Sequence, residues 1–501
     1  MRSLLGRSTR HPARSLAARF MGFTRDGDGS TLSLDFTQGI LDSRISFSRS
    51  TTATFISVGN LTDPTLTIES VGGSVVGDWD DPNIWDIAKS PRDGQVLVTI
   101  LVGDTVTFND YNTGVLLSTA SVNQPRFDHD PTTLAPKGLL IEGSATNVLT
   151  GFAAGSWGRT NINGSGTGGA LTNGQTGPDG VANTAARITT AASTTFPTGM
   201  FVAFATNAAG NSRTFSVWLR GVGANTTASI AIVGSNTPAG VASSQSGHSV
   251  TLATSTSGNN LLALVTGLST TAWTRVSISR TDTQASSDSY RICPGNHTGT
   301  ISSGLAVDVY VPQAESGIGM SSTIPTGAST VTRNADTAII AAGAAFTSWY
   351  QGGTQGTFYV DWFGGVRSGA SGSTNRTVLS TDDVSTKHLH MMQTAASGNL
   401  RVADFGGTNN VTTSNTLTSG TRTKGAFSYN GSTANVCLNG GTVATGSSLA
   451  FSVTPTWLVI GATSTNGTSI TDANVVLNNS IAVIKYWPTA LPNATLQSLT
   501  T

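Results

Sequence analysis

Side chains alternate between apolar and polar at period two through most of this chain, and that pattern restricts the fold to stacked β-sheet. Leu32, Leu34 and Phe36 fall on one side of a run whose other side carries Ser33 and Asp35. In RTFSVWLR, residues 213–220, Phe215, Val217 and Leu219 share a face opposite Ser216, Trp218 and Arg220. Only residues 493–499, after Pro492, read as a helix within the body of the chain. Glycine contributes 58 of 501 residues with no collagen period, so the glycines read as turn residues. Asn430-Gly431 and Asn439-Gly440 are hairpin signals. A chain this long exceeds one core, so two or three domains are expected. The fold class that follows is all-β and multi-domain, with tandem β-sandwiches and a small β insert near the N-terminus.

Charge narrows the partners. Charged residues make up 11% of the chain, and 27 Lys+Arg balance 27 Asp+Glu. A neutral chain lacks the basic field that nucleic-acid binding requires. Cys293 and Cys437 are the only cysteines, too few for a disulfide framework. No apolar run reaches the roughly 20 residues of a membrane span. Arg2, Arg7, Arg10, Arg14, Arg19 and Arg25 all precede the first acidic residue, Asp26. Transit peptides share that composition. The preferred reading is a basic arm over 1–30 that docks on a partner, with a disordered tail as the alternative.

The chain is organised around residues 123–147, NQPRFDHDPTTLAPKGLLIEGSATN. Its prolines make turns, and Gly138-Leu139-Leu140-Ile141 is an apolar run that must be buried. With 31–56, residues 123–150 form a pair of linking segments. Residues 57–122 read as an inserted small sandwich, 151–322 as a jelly roll, 323–345 as a linker and 346–501 as a last sandwich.

Three stretches resemble a known group of proteins. FSRSTTATF (47–55) with PRFDHDPTTLAPKGLLIEGSATN, and VPQAESGIGMSSTIPTGASTVTRNADTA (311–338), resemble a module of bacteriophage tail and virion surface proteins. There it is joined to a carbohydrate-binding-module-like jelly roll. AFSYNGSTANVCLNGG, LVIGA and SIAVIKYWPTALPNATLQSL resemble a concanavalin A or laminin G-like sandwich. The resemblance implies a virion protein mounted on other virion proteins through its N-terminal region, binding host-surface glycan through β-sandwich loops as a homo-oligomer, with a trimer favoured. The alternatives are a head or tail decoration that binds no sugar, and a glycan depolymerase. In this chain the 57–122 insert interrupts the module, and Gly143, Ser144 and Ala145 stand where the family places charged residues.

The candidate sites are sparse. No G-x-S-x-G, H-E-x-x-H or phosphate-loop motif is present, so no catalytic residue is assigned and a non-enzyme is expected. Trp79 and Trp85 sit among Asp78, Asp80, Asp81 and Asp86 in GDWDDPNIWDI. Rings beside carboxylates suit a sugar, and Asp78, Asp80 and Asp81 suit calcium; the alternative is a tryptophan pair closing the insert's core. Trp157, in a Gly-rich loop, is expected at the surface as a sugar contact. His388 and His390 share one strand face and could ligate a metal or ligand, or simply lie on a solvated face. Trp218, Trp273, Trp362, Trp457 and Trp487 are expected in or between the sheets. Asp128 and Asp130, flanking His129, are expected to cap turns.

Overall fold

The computed structural model is all-β. It describes residues 28–57 and 116–501, apart from 132, 153–156, 162–168, 192–197, 204–210, 234–237, 246–248, 255–259, 283–287, 297–303, 352–353, 365–374, 383–388, 395–397, 405–408, 419, 448, 450–454, 465 and 471–474. Between 58 and 115 it describes the backbone of four short strands, with Leu66–Ser70 antiparallel to Asp104–Phe108 and Ala88–Lys89 to Val96–Leu97.

The first sandwich stacks two antiparallel sheets. One runs in the order Gly158–Asn161, Thr198–Ala203, Ser289–Pro294, Ala228–Val233, Asn260–Thr266 and Ser249–Thr254. The other runs Ala170–Gln175, Ala185–Thr189, Ala306–Ser316, Ser212–Gly221, Thr274–Asp282 and Pro238–Gln245. Phe215, Val217 and Leu219 lie in the core between them, as the alternation requires, against Ile230, Ile232, Ile278 and Ile292. Ser216 and Trp218 point the other way and are buried too, at 0% and 1% exposure, because that outer face is covered. Trp218 packs there with Tyr310, Ala185 and Leu117, beside Ile56 and Trp273.

The cover is the hairpin Ala53–Ser57 with Leu116–Ala120, the two ends of the insert. The remaining linking strands join the second sandwich rather than standing apart. Its first sheet runs Ala444–Gly446, Thr433–Leu438, Arg422–Asn430, Gln355–Phe363, Asn479–Trp487, Pro136–Ile141 and Phe127–His129. On one edge of Asn479–Trp487, Leu32–Asp35 pairs with residues 483–486 and Leu139–Ile141 with residues 479–481, so two distant segments lie end to end along one strand. The facing sheet begins with Ile45–Ser48 and Thr337–Ile340, then Trp457–Ile460, Arg376–Asp382, Leu389–Gln393, Asn399–Asp404 and Asn410–Thr416. Leu32, Leu34, Leu139, Ile141 and Ile340 therefore share one core with Phe358, Trp362 and Ile484.

The helix Asn493–Thr500 forms where the sequence predicts it. Its Leu496 closes an apolar patch with Tyr359, Cys437 and Trp487 on the outer face of the first of these sheets. Cys293 and Cys437 are free and buried, one in each sandwich. No helix among the described residues is long and apolar enough to cross a membrane.

Candidate functional site: a cleft over a buried ion cluster

Where the linking segments meet, five charged side chains converge. Arg49 follows the strand Ile45–Ser48, Arg126 precedes Phe127–His129, Glu142 ends Pro136–Ile141, and Arg333 and Asp336 flank the turn before Thr337–Ile340. Arg49 Nη1 donates to Asp336 Oδ1 at 2.9 Å, and Arg126 Nη2 donates to Asp336 Oδ2. Arg126 Nη1 donates to Glu142 Oε2 at 2.7 Å, and Arg333 Nη2 lies 3.6 Å from the same oxygen. The Ser322 amide donates to Glu142 Oε1 at 2.7 Å, and the Glu142 amide to Asp336 Oδ2 at 2.9 Å. Three guanidiniums face two carboxylates, a formal charge of 3 − 2 = +1. The side chains of Arg49, Arg126 and Asp336 are fully buried.

Such a cluster stands only if each charge is paired. Burial by itself would raise the Glu142 carboxyl, but Arg333, Arg126 and the Ser322 amide outweigh it and hold the group well below the usual carboxylate range. Burial would likewise lower Arg126, yet Asp336 and Glu142 hold it above its ordinary value. Glu142's folded-state value is thus depressed. Its contribution to stability is complete above the ordinary 4.5 and is lost as pH falls through the lower folded value. Glu142→Gln should cost most near neutrality and converge with the parent chain in strong acid. Parallel stability–pH curves for the two proteins would refute this.

Above the cluster opens a cleft of about 760 Å³ between the sandwiches. One wall is the outer face of the first sandwich, with Arg275, Ser277 and Ser279, together with residues 318–323. The opposite wall brings Phe55 and Ile56 from the hairpin, and Asp128, His129 and Lys137 from the linking strands. Thr421, Asn478 and Asn479 of the second sandwich close one end. Asp128 Oδ1 accepts from the Ile56 amide at 2.9 Å, and its Oδ2 from Lys137 Nζ at 3.2 Å. Lys137 also sits over the Phe363 ring, 5.0 Å from its centroid. Asp130 caps its turn by accepting from the Thr133 amide at 2.7 Å, as its sequence context predicts. Asp128 does something else: it pins the linking strand to the hairpin.

Trp157, the sequence-predicted site residue whose side chain is described, does not line this cleft. Trp157 is 3% exposed, which corrects its expected place at the surface. Its ring packs edge-on against Phe152 at 5.0 Å, and its Nε1 donates to Thr150 O at 3.0 Å, so a Gly-rich loop folds the indole into the core. Trp79, Trp85, Asp78, Asp80, Asp81 and His388 lie outside the described residues. His390 is placed on the strand Leu389–Gln393 by its backbone alone. Among the described residues, no group of three or more His, Cys, Asp or Glu side chains gathers as for a metal. Trp218, Trp362, Trp457 and Trp487 are buried as expected. Trp273 is half-exposed, with the Arg220 guanidinium 4.7 Å above its ring.

The residues that reading for catalysis and ligands missed are Arg49, Arg126, Glu142, Arg333 and Asp336. Their signal was present: each is a charged position inside FSRS, PRFD, LLIEG or TRNAD, in a chain with little charge elsewhere. Gly143, Ser144 and Ala145 carry no charge, and the pairing falls one residue earlier, to Glu142.

No protein-family model matches this chain, and no curated protein matches it. Among solved structures, the CBM40 domain of the Ruminococcus gnavus IT-sialidase bound to α2,3-sialyllactose is similar over 29% of this chain and 82% of its own, at 16% identity and TM-score 0.24. The LG1-3 region of the laminin α2 chain is similar over 59% of this chain and 66% of its own, at 11% identity and TM-score 0.22. Domains LG4-5 of the mouse laminin α1 chain match over 58% and 96%, at 10% identity and TM-score 0.22.

Proposed function

We propose that this chain is a non-enzymatic, glycan-binding structural protein that takes saccharide in the cleft between its two sandwiches. The observation that carries the reading is the composition of that cleft. Its volume lies within the roughly 300–1,000 Å³ of small-ligand sites. Phe55, Ile56 and Met320 offer apolar surface to sugar C–H faces, while His129 and Lys137 offer ring and ammonium nitrogens to sugar hydroxyls.

The chemistry of the carboxylates supports binding over cleavage. A glycosidase needs one carboxyl whose pKa is raised so that it can protonate the leaving oxygen. Glu142 is held in the opposite direction, and Asp130 is spent on its turn. The FSRS, PRFD and TRNAD stretches carry the resemblance to bacteriophage tail and virion surface proteins, and on that resemblance rests the further proposal of a virion protein, displayed as a homo-oligomer and favouring a trimer. Weak single sites gain avidity in such an array.

A surface-glycan array probed with the full chain tests this. His129→Ala combined with Lys137→Ala should weaken binding about tenfold or more, the loss typical of a central contact. Thr412→Ala, on an exposed strand position, should leave it unchanged. A folded chain that binds no glycan would favour a purely structural brace. Shortening of host capsule or lipopolysaccharide by the purified protein would overturn the non-enzymatic reading.

A further inference from the structure

Arg275 is a cation of this junction that no carboxylate reaches as an ion pair among the described residues. It rises from the strand Thr274–Asp282 into the cleft wall, half-buried. Its Nη1 donates to Ser321 O at 2.7 Å and its Nη2 to Ser216 Oγ at 3.0 Å, while its Nε has no hydrogen-bond partner. The arginines around it are treated differently. Arg49 and Arg126 share Asp336, and Arg187 and Arg220 share Asp308 at 2.7 and 2.9 Å. Arg275 makes no ion pair among the described residues. Burial pushes its guanidinium down to about 10, against the more distant pull of Glu315 and Glu142.

A guanidinium has five donors in a planar fork, and two neutral oxygens use only part of it. Withdrawing that charge from water without a counter-ion is unfavourable, and a ligand that supplies the anion relieves the cost. Lys137, in the same cleft, is already committed to Asp128. We infer that the cleft selects a carboxylate-bearing sugar, whose carboxylate pairs with Arg275 while its ring lies along the Phe55 and Met320 side. This specificity rests on the glycan-binding reading above, since it names the class of sugar for the same cleft.

The test is a panel of acidic oligosaccharides, each paired with its methyl ester, titrated against the full chain. Esterification removes the charge and keeps the ring. The free acids should include one that binds at least about tenfold more tightly than its ester, the worth of a charge-assisted hydrogen bond. Arg275→Gln should erase that difference, and Arg275→Lys should keep part of it, because an ammonium keeps the charge without the fork. Arg275 also holds Ser321, so a second variant guards against a folding defect. Thr421→Glu, at an exposed position on the cleft's end, should weaken the acid and spare the ester. Acids and esters that bind alike, or an acid preference that survives Arg275→Gln, would overturn this specificity and leave glycan binding standing. A panel and array on which no sugar binds would remove both.

Discussion

Asp336→Asn should destabilise the chain by about 3–5 kcal/mol, the cost of breaking a buried ion pair from one side. Asp336 is fully buried and receives Arg49 on one oxygen, and Arg126 with the Glu142 amide on the other. Asparagine keeps the shape but removes the charge. The cluster then holds three guanidiniums against Glu142 alone, 3 − 1 = +2, with Arg49 and Arg126 facing each other without a carboxylate between them. The comparison is Lys485→Gln, which breaks the partly exposed pair with Asp28 and should cost no more than about 1 kcal/mol. Denaturant unfolding of both variants decides the matter. Equal, small shifts in the midpoint would mean that the buried cluster contributes little to holding the linking segments in place.

Gly138→Ala should cost about 2–5 kcal/mol, combining left-handed backbone strain with overpacking against a strand. Gly138 has φ +98°, and the ladder to Phe127–His129 shifts register between Pro136 and Gly138. A Cβ there would run into the Ile481 carbonyl and approach Ala482 Cα to 2.8 Å, both backbone atoms of the central strand Asn479–Trp487. Nothing at that contact can rotate away. The strand Pro136–Ile141 would have to lift from its edge, carrying Leu139 and Ile141 out of the second core and Glu142 away from Arg126. Gly327→Ala, at a glycine whose added Cβ meets nothing within 4 Å, is the control and should be near neutral. If Gly138→Ala unfolds at the parent midpoint, the close approach of these two strands is not a constraint on the fold.

Both predictions concern residues that the sequence marks without explaining. The motif FSRS displays Arg49, and TRNAD displays Asp336, yet 287 positions separate them and neither neighbourhood names the other. The alternation in RTFSVWLR correctly assigns Phe215, Val217 and Leu219 to a core. Taken alone it would leave the opposite face in water, yet Ser216 is buried there beside the expected Trp218, because the cover comes from a hairpin made by the two ends of the insert. Trp157 shows the converse: glycine-rich surroundings suggest a surface loop, but an indole is large and apolar enough to draw the loop inward once a carbonyl satisfies its N–H.

The local pattern alone settled that this chain is all-β, built as sandwiches with a short terminal helix, because side-chain period and turn chemistry are properties of neighbouring residues. Tertiary structure alone decided that Leu32–Asp35, Ile45–Ser48, Phe127–His129 and Pro136–Ile141 complete the C-terminal sandwich, and that a cleft lined by Arg275 opens beside the cluster they form. Strands are joined by backbone N–H and C=O groups, which nearly every residue possesses alike. The sequence therefore records which segments can pair and which face each buries, and leaves the choice of partner to the packing of the whole chain.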